Sequence, residues 1–255
     1  MKKKTDPDVG PDAILVMIPT DLDYLLETTR DRDGTVFDMG YFRLHRFRRK
    51  REESFSIIGP FLGAPHAVMG LEKIIALGAR RIWALGWCGS LQPDLRIGDL
   101  VIPTDSVCEE GTSSHYPIGP EGPRTDRELN AVLAAALSKG DKPFQKGTVW
   151  TTDAPFRETP TKVLAYRNRE VLGVEMEMSA LMTVSIYRSA KLAGLLVVSD
   201  ELFDLRWKPG FKNPRFKEGC RAAARLLLGL ADSPPMSFTD QGSGARREET
   251  YTPSL

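Results

Sequence analysis

Short apolar runs alternate along this chain with longer stretches in which apolar residues recur every three or four positions, and that alternation predicts its elements. Ala13 to Ile18 (AILVMI) is continuous and apolar, long enough for a strand covered on both faces and too short for a helix. It stops at Pro19-Thr20-Asp21, and Leu22, Leu25 and Leu26 then give one apolar side to a short helix from Asp21 to Arg30. Tyr41 to Ile58 alternates at both ends, through Phe42 and Leu44 and again through Phe55 and Ile57, around a polar centre from Arg48 to Glu53. An antiparallel hairpin with a solvated tip is expected there. Pro65 opens a helix whose stripe is Val68, Leu71, Ile74 and Ile75 and which Gly78 ends.

The stretch from Arg81 to Pro103 organises the rest. Ile82 to Leu85 reads as a strand that breaks at Gly86, turns through Gly86, Cys88, Gly89 and Ser90, and gives way to a second apolar run at Leu100 to Ile102. Glycines at such a turn let the backbone bend or approach a ligand, and the freed amides can face a polar group. After it, Glu109 to Tyr116 is a polar loop, and Thr125-x-x-Glu128 matches a capping box ahead of a helix ending at Gly140. Gly147 to Thr151 is strand-like and runs into the loop Thr152 to Arg157. Leu172 to Met176 and Leu195 to Ser199 are two further strands, with helices at Ala180 to Lys191 and Pro214 to Leu228. Strands alternating with helices predict an α/β fold, a mixed and mostly parallel sheet flanked by helices, with the hairpin adding antiparallel strands. Ligands of such sheets sit beyond the carboxyl ends of the strands. Five polar strand ends then share one rim: Thr20-Asp21, Gly86 to Ser90, Thr151 to Asp153, Glu175 to Glu177, and Ser199-Asp200.

Composition narrows the class without choosing a function. The 255 residues are enough for one large domain or two small ones, and 41% hydrophobic with 27% charged content describes an ordinary globule. A formal net charge of +1 gives no argument for nucleic acid or an anionic membrane. Three scattered cysteines (Cys88, Cys108, Cys220) suggest neither a disulfide framework nor a metal site, and a reducing cytoplasm is the expected compartment. The opening Met-Lys-Lys-Lys leads into Thr-Asp-Pro-Asp and not into the apolar core of a secretion signal. Residues 1–12 read as a flexible arm, 13–232 as the folded domain, and 233–255, rich in Ser, Pro, Gly and charge, as a disordered tail.

Three separated segments, IIALGARRIWALGWCGSLQPDLRIGDLVIP, GVEMEMSAL and VVSDEL, together resemble the hexamer-type purine nucleoside and uridine phosphorylases and their nucleosidase relatives. EEGTSSHY and TTDAPF add weaker matches. The resemblance implies a single α/β domain around a central mixed sheet, commonly assembled as trimers of dimers. It also implies cleavage of the N-glycosidic bond of a nucleoside, with phosphate or water as nucleophile and no metal or organic cofactor. Such a reaction builds positive charge on the ribose and negative charge on the departing base, so the site needs a sugar clamp, an acid or donor for the base, and a held nucleophile. By resemblance Glu177 clamps the ribose hydroxyls beside Met176, and Asp200 donates a proton to a purine base. Ser199, Phe156, Arg157 and Gly89 are the expected neighbours of the base, while Glu175 is expected to be structural. EEGTSSHY looks closer to the uridine-cleaving branch, so the two base signals differ.

The phosphate segment departs from the family pattern. Where family phosphorylases carry Gly-Asp-Pro-x-x-Arg, this chain has Pro19-Thr20-Asp21-Leu22-Asp23-Tyr24, and Ala84 and Trp87 stand where an arginine and a hydroxyl residue are expected. Thr20, Arg43, Arg46, Arg48 and His66 are the candidates to rebuild that site. The expected activity is phosphorolysis of a purine or uridine-type nucleoside, with phosphate as co-substrate, in a homo-oligomer (dimer or hexamer). Two rivals stand beside it: a hydrolytic nucleosidase in which a carboxylate such as Asp21 activates water, and a nucleoside-binding protein without turnover.

Overall fold

The computed structural model describes residues 7–49, 53–140 and 143–233. In chain order the elements are β1 (Asp12–Val16), α1 (Pro19–Thr28), β2 (Gly34–Asp38), β3 (Arg43–Arg48), β4 (Ser54–Gly59), α2 (Ala64–Leu77), β5 (Arg81–Ser90) and β6 (Leu100–Glu109). They continue with α3 (Arg127–Lys139), β7 (Phe144–Thr152), α4 (Pro160–Arg167), β8 (Gly173–Glu175), α5 (Met178–Tyr187), β9 (Lys191–Glu201), β10 (Lys208–Pro209) and α6 (Pro214–Asp232). The strands form one mixed sheet in the order β10-β9-β6-β7-β8-β5-β1-β4-β3-β2, and β9 also pairs with β5. That extra pairing closes β5, β9, β6, β7 and β8 into a ring, from which β1, β4, β3 and β2 extend as an open wing. The two longest ladders, β5 with β9 and β6 with β7, are parallel. The hairpin expected between Tyr41 and Ile58 is β3 paired antiparallel with β4.

Helices cover both faces because the strands are apolar on both. In β1, Ala13 and Leu15 join the core under α2 and α5, while Ile14 and Val16 join the core under α1, α3 and α6. This is the two-residue period of a strand sorting one continuous apolar run into two layers. On α2, Val68, Leu71, Ile74 and Leu77 are buried at helical spacing, each worth about 1.5–3 kcal/mol relative to exposure. A third cluster, with Leu91, Trp150, Val163 and Tyr166, seats α4 against the ring.

Several expectations are corrected. β5 does not break at Gly86 but continues to Ser90, with one irregularity in its ladder at Cys88/Gly89. Its glycines serve close packing and not a turn: a Cβ on Gly86 would meet Leu196 and Met17 at 3.3 Å, and one on Gly89 would meet Leu202 at 2.6 Å and the Asp200 carboxylate at 2.9 Å. The cap of α3 is Asp126, which accepts from Leu129 N, and Thr125 instead donates to the Pro103 carbonyl. Val9 and Asp12, expected in the flexible arm, are buried. Residues 1–6 and 234–255 lie outside the described residues, as does the centre of the hairpin tip. Arg49, expected on that solvated tip, is buried and binds Asp12 at 2.5 Å and the Ala231 carbonyl at the end of α6. Arg81 binds the same aspartate at 2.5 Å, so Asp12 joins β1 to β5 and, through Arg49 just after β3, to the end of α6.

Asp21 lies on the buried side of α1. It accepts from Trp87 Nε1 at 2.8 Å, and the Trp87 ring packs edge-on against Phe216 at 4.8 Å. Burial raises its carboxyl to about 6, against the lowering effect of the Trp87 and Cys220 bonds.

Two outcomes are expected. Asp12→Ala leaves the buried Arg49 without its main counter-charge and should cost about 3–5 kcal/mol in urea unfolding. A loss below about 1 kcal/mol would show that the remaining acceptors suffice. A raised carboxyl stabilises the fold below its ordinary range and loses that contribution as pH climbs through its folded value. Asp21→Asn should therefore gain on the wild type between about pH 4 and 7, by at most about 3 kcal/mol. A difference independent of pH would count against a raised Asp21.

Candidate active site

The carboxyl ends of β5, β8 and β9 open into a cavity of about 650 Å³. Its walls include Trp87, Cys88 and Gly89 from β5, Glu175, Met176 and Glu177 around the start of α5, and Ser199, Asp200 and Leu202 around the end of β9. Met17 and Ile18 after β1, Phe61 and Leu62 before α2, Phe156 and Glu158, and Trp207 and Phe211 complete it. Three of the five expected strand ends thus line the cavity. The other two stand behind its walls: Thr151 supports Glu175, and Asp21 supports Trp87.

Glu175 is the anchor of this rim. Fully enclosed, it accepts from the Thr151 hydroxyl and from the amides of Glu177 at 2.6 Å and Met178 at 2.7 Å. It therefore occupies the positive end of α5 and satisfies amides that the helix cannot. Thr151 Oγ1 in turn accepts from Ser179 N at 2.9 Å, which ties β7 to the same helix end.

Glu177 sits at the N-cap of α5 without capping it. Its Oε1 instead accepts from the Gly63 amide at 2.7 Å, at the N-terminus of α2. Burial, followed by the charge of Glu175, pushes the Glu177 carboxyl above its usual range. Asp200 is also raised by burial; Ser199 Oγ lies 2.6 Å from its Oδ1 and Trp207 Nε1 lies 3.0 Å from its Oδ2. Glu158, raised to about 7 by burial and then by the charge of Asp200, is a fourth carboxyl in the same cavity. Among the described residues no arginine, lysine or histidine lines it.

The residues expected around sugar and base are brought together here, with two qualifications. Glu177, Met176, Asp200, Ser199, Gly89 and Phe156 all line the cavity, but Phe156 is fully exposed at its mouth. Arg157 is exposed on the adjoining 3-10 turn and is not in the wall. None of the five phosphate candidates lines the cavity within one chain. Thr20 is exposed on the first turn of α1. Arg43 borders a separate cavity of about 330 Å³ between α1 and β3. Arg46 donates to the Asp8 carbonyl at 3.3 Å and covers Phe37, and Arg48 pairs with Asp33 at 3.5 Å. His66 comes nearest, its ring 5.1 Å from that of Phe61, yet both nitrogens are engaged: Nδ1 accepts from Leu62 N and Nε2 donates to the Tyr41 carbonyl.

Sequence reasoning missed Phe61, Leu62, Glu158, Leu202, Trp207 and Phe211. The detectable signal was Trp207 and Phe211, two large aromatics in the polar, Pro/Gly-bearing stretch DLRWKPGFKNP, where no apolar period accounts for them. No group of three or more potential ligands that could hold a metal ion occurs among the described residues. No helix there is long and apolar enough to cross a membrane.

Comparison with known proteins places this geometry. The family model of the phosphorylase superfamily matches residues 11–232. A guanosine phosphorylase of Halorubrum lacusprofundi is 26% identical over 141 residues, which span 55% of this chain and 58% of that protein. A DeoD-type purine nucleoside phosphorylase of Myxococcus xanthus is 26% identical over 202 residues, 76% of this chain and 82% of the relative. Among solved structures, uridine phosphorylase from Vibrio fischeri superposes with a TM-score of 0.78 at 20% identity, covering 90% of this chain and 99% of the other. Purine nucleoside phosphorylase from Toxoplasma gondii, in complex with immucillin-H, gives 0.75 at 23% identity, covering 88% and 92%. With the family model matching most of its length and the same fold in both structures, this chain belongs to the phosphorylase superfamily.

Proposed function

We propose that the protein is a nucleoside phosphorylase, a pentosyltransferase that cleaves the N-glycosidic bond of a purine or uridine-type nucleoside with phosphate to give free base and ribose 1-phosphate. The observation that carries this reading is that Glu177 after β8 and Asp200 on β9 face one cavity from the two strands that flank the end of β5. Glu177 would accept the ribose hydroxyls, with Met176 as an apolar face beside the sugar. Asp200, whose carboxyl burial raises above its ordinary value against the Ser199 and Trp207 bonds, would supply the proton that a purine takes as it leaves. Ser199, Gly89 and Phe156 would border the base. The relatives named for guanosine, purine and uridine substrates support the reaction class without choosing among bases.

The cation-free wall favours a second reading, hydrolysis. A phosphate dianion in a partly dry cavity needs compensating charge, and one chain offers four carboxyls instead. Asp21 does not serve as the base of this alternative, because it is turned away from the cavity behind Trp87. Under the first reading the cations come from the β3 arginines of a neighbouring copy in a homo-oligomer.

Base release from inosine, adenosine, guanosine and uridine, each with and without phosphate, decides between them. Phosphorolysis is expected to require phosphate and to yield ribose 1-phosphate; free ribose without phosphate would establish hydrolysis, and binding without turnover would remove both. Glu177→Gln should lower kcat at least about 100-fold while the folded circular dichroism is kept, because a neutral amide cannot favour the cationic sugar. Retention of more than about a tenth of the wild-type rate would remove Glu177 from the sugar site.

A further inference from the structure

Both oxygens of Asp200 are engaged within the chain, by partners of different kinds. Oδ2 faces Trp207 Nε1 at 3.0 Å, and an indole N–H only donates. Oδ1 faces Ser199 Oγ at 2.6 Å, and a hydroxyl can donate or accept. Ser199 Oγ also lies 3.2 Å from the Cys88 carbonyl. When Asp200 is ionised, Ser199 donates to Oδ1. When Asp200 is neutral, the proton on Oδ1 can point to Ser199 Oγ, whose own hydrogen turns to the Cys88 carbonyl. Ser199 accommodates both states, and in both of them Trp207 keeps Oδ2 as an acceptor without a proton.

The charges around the acid leave this role to the indole. Asp200 makes no ion pair among the described residues. Its titratable neighbours are Glu158, beyond the 3-10 turn after β7, and Cys88 on β5; both feel its charge. Glu201 is turned to Arg96, and Lys208 on the segment of Trp207 is paired with Asp204. Gly89 keeps the space beside Oδ2 open. Trp207 is 61% exposed, close to Leu205 with its φ of 64°, so its removal unpacks no core.

We propose that Trp207 is a positioning residue for Asp200: its indole N–H holds Oδ2 as the acceptor, leaves the transferable proton on Oδ1, and stabilises the carboxylate formed when that proton is given up. This role rests on the reading of Asp200 as the acid for a purine base. In the step, the electron pair of the glycosidic bond passes to the base, the Oδ1 proton passes to N7, and the purine leaves neutral. The carboxylate left behind gains the Ser199 hydrogen on Oδ1 and keeps the Trp207 N–H on Oδ2, so both donors are strongest after transfer has begun.

Trp207→Phe keeps a ring and deletes the donor. With inosine, kcat is expected to fall about tenfold relative to its value with 7-methylinosine, whose cationic base leaves neutral without a proton. Losing a donor to the charged form raises the acid, so the alkaline limb of kcat/KM for inosine should move up by about one pH unit. Equal losses on the two nucleosides, or an unmoved limb, would overturn the proposal. The carboxyl of Asp200 can also be titrated directly by carbon-13 NMR, assigned with Asp200→Asn. An upward shift in Trp207→Phe supports the role, and no shift refutes it. If the wild type cleaves neither nucleoside, the reading of Asp200 as the acid for a purine base fails while the titration still decides what Trp207 does to Asp200.

Discussion

The cavity depends on one buried carboxylate. Glu175 sits where β7, β8 and α5 meet; burial raises its carboxyl to about 7, against the lowering effect of a threonine hydroxyl and two amides at the positive end of α5 that converge on it. Those bonds require the helix to begin immediately after the strand. They also relieve Glu177, the residue at the N-cap, of any capping duty, so its side chain is free to turn across to Gly63 and into the cavity. The close approach of β5 and β8 needs small residues on both sides: a Cβ on Gly173 would lie 3.0 Å from the Gly89 carbonyl. Position, in this site, is inherited from packing.

The same arrangement gives Glu177 a chemical bias. Its charge is opposed by burial and by Glu175, the opposite of what a resting ion pair would do. Under the proposed function, positive charge develops on the ribose only as the glycosidic bond breaks. A carboxylate that is poorly satisfied beforehand gains more from that charge than one already paired with a lysine or arginine, and a gain confined to the transition state is what lowers a barrier. Under that reading Glu175 would act on the reaction twice, once by placing Glu177 and once by raising it.

Much of this was legible in the residues. β1, β9, α2 and α6 follow from apolar runs and periodic stripes, and the hairpin from alternation around a polar centre. β2 escaped because its side chains are largely exposed and carry no alternation, and α4 because its two buried residues, Val163 and Tyr166, are too few to make a stripe. Gly86 and Gly89 were misread as a turn because glycine marks both a bend and a close approach, and only the partners, Leu196, Leu202 and Asp200, distinguish them. The motif residues Glu177 and Asp200 converge, whereas the basic hairpin does not reach the cavity. A charge run records composition, and whether it faces a ligand is settled by long-range contacts such as that of Arg49 with Asp12 and Ala231.

Two of the side chains that depart from the expected phosphate pattern, Tyr24 and Trp87, both pack against α6. Tyr24 stands where the resemblance expects an arginine, and its hydroxyl receives Arg225 of α6 at 2.8 Å while Arg221 covers its ring. Trp87 stands where a hydroxyl residue is expected, and it is held between Asp21 of α1 and Phe216 of α6. Both side chains thus join α1 and β5 to α6. An anion entering from solvent meets Glu158, Glu175, Glu177 and Asp200 of this chain, so the charge that compensates it must come from outside the wall. A cation on the substrate, or one on a neighbouring copy, meets that requirement, and water as the nucleophile avoids it.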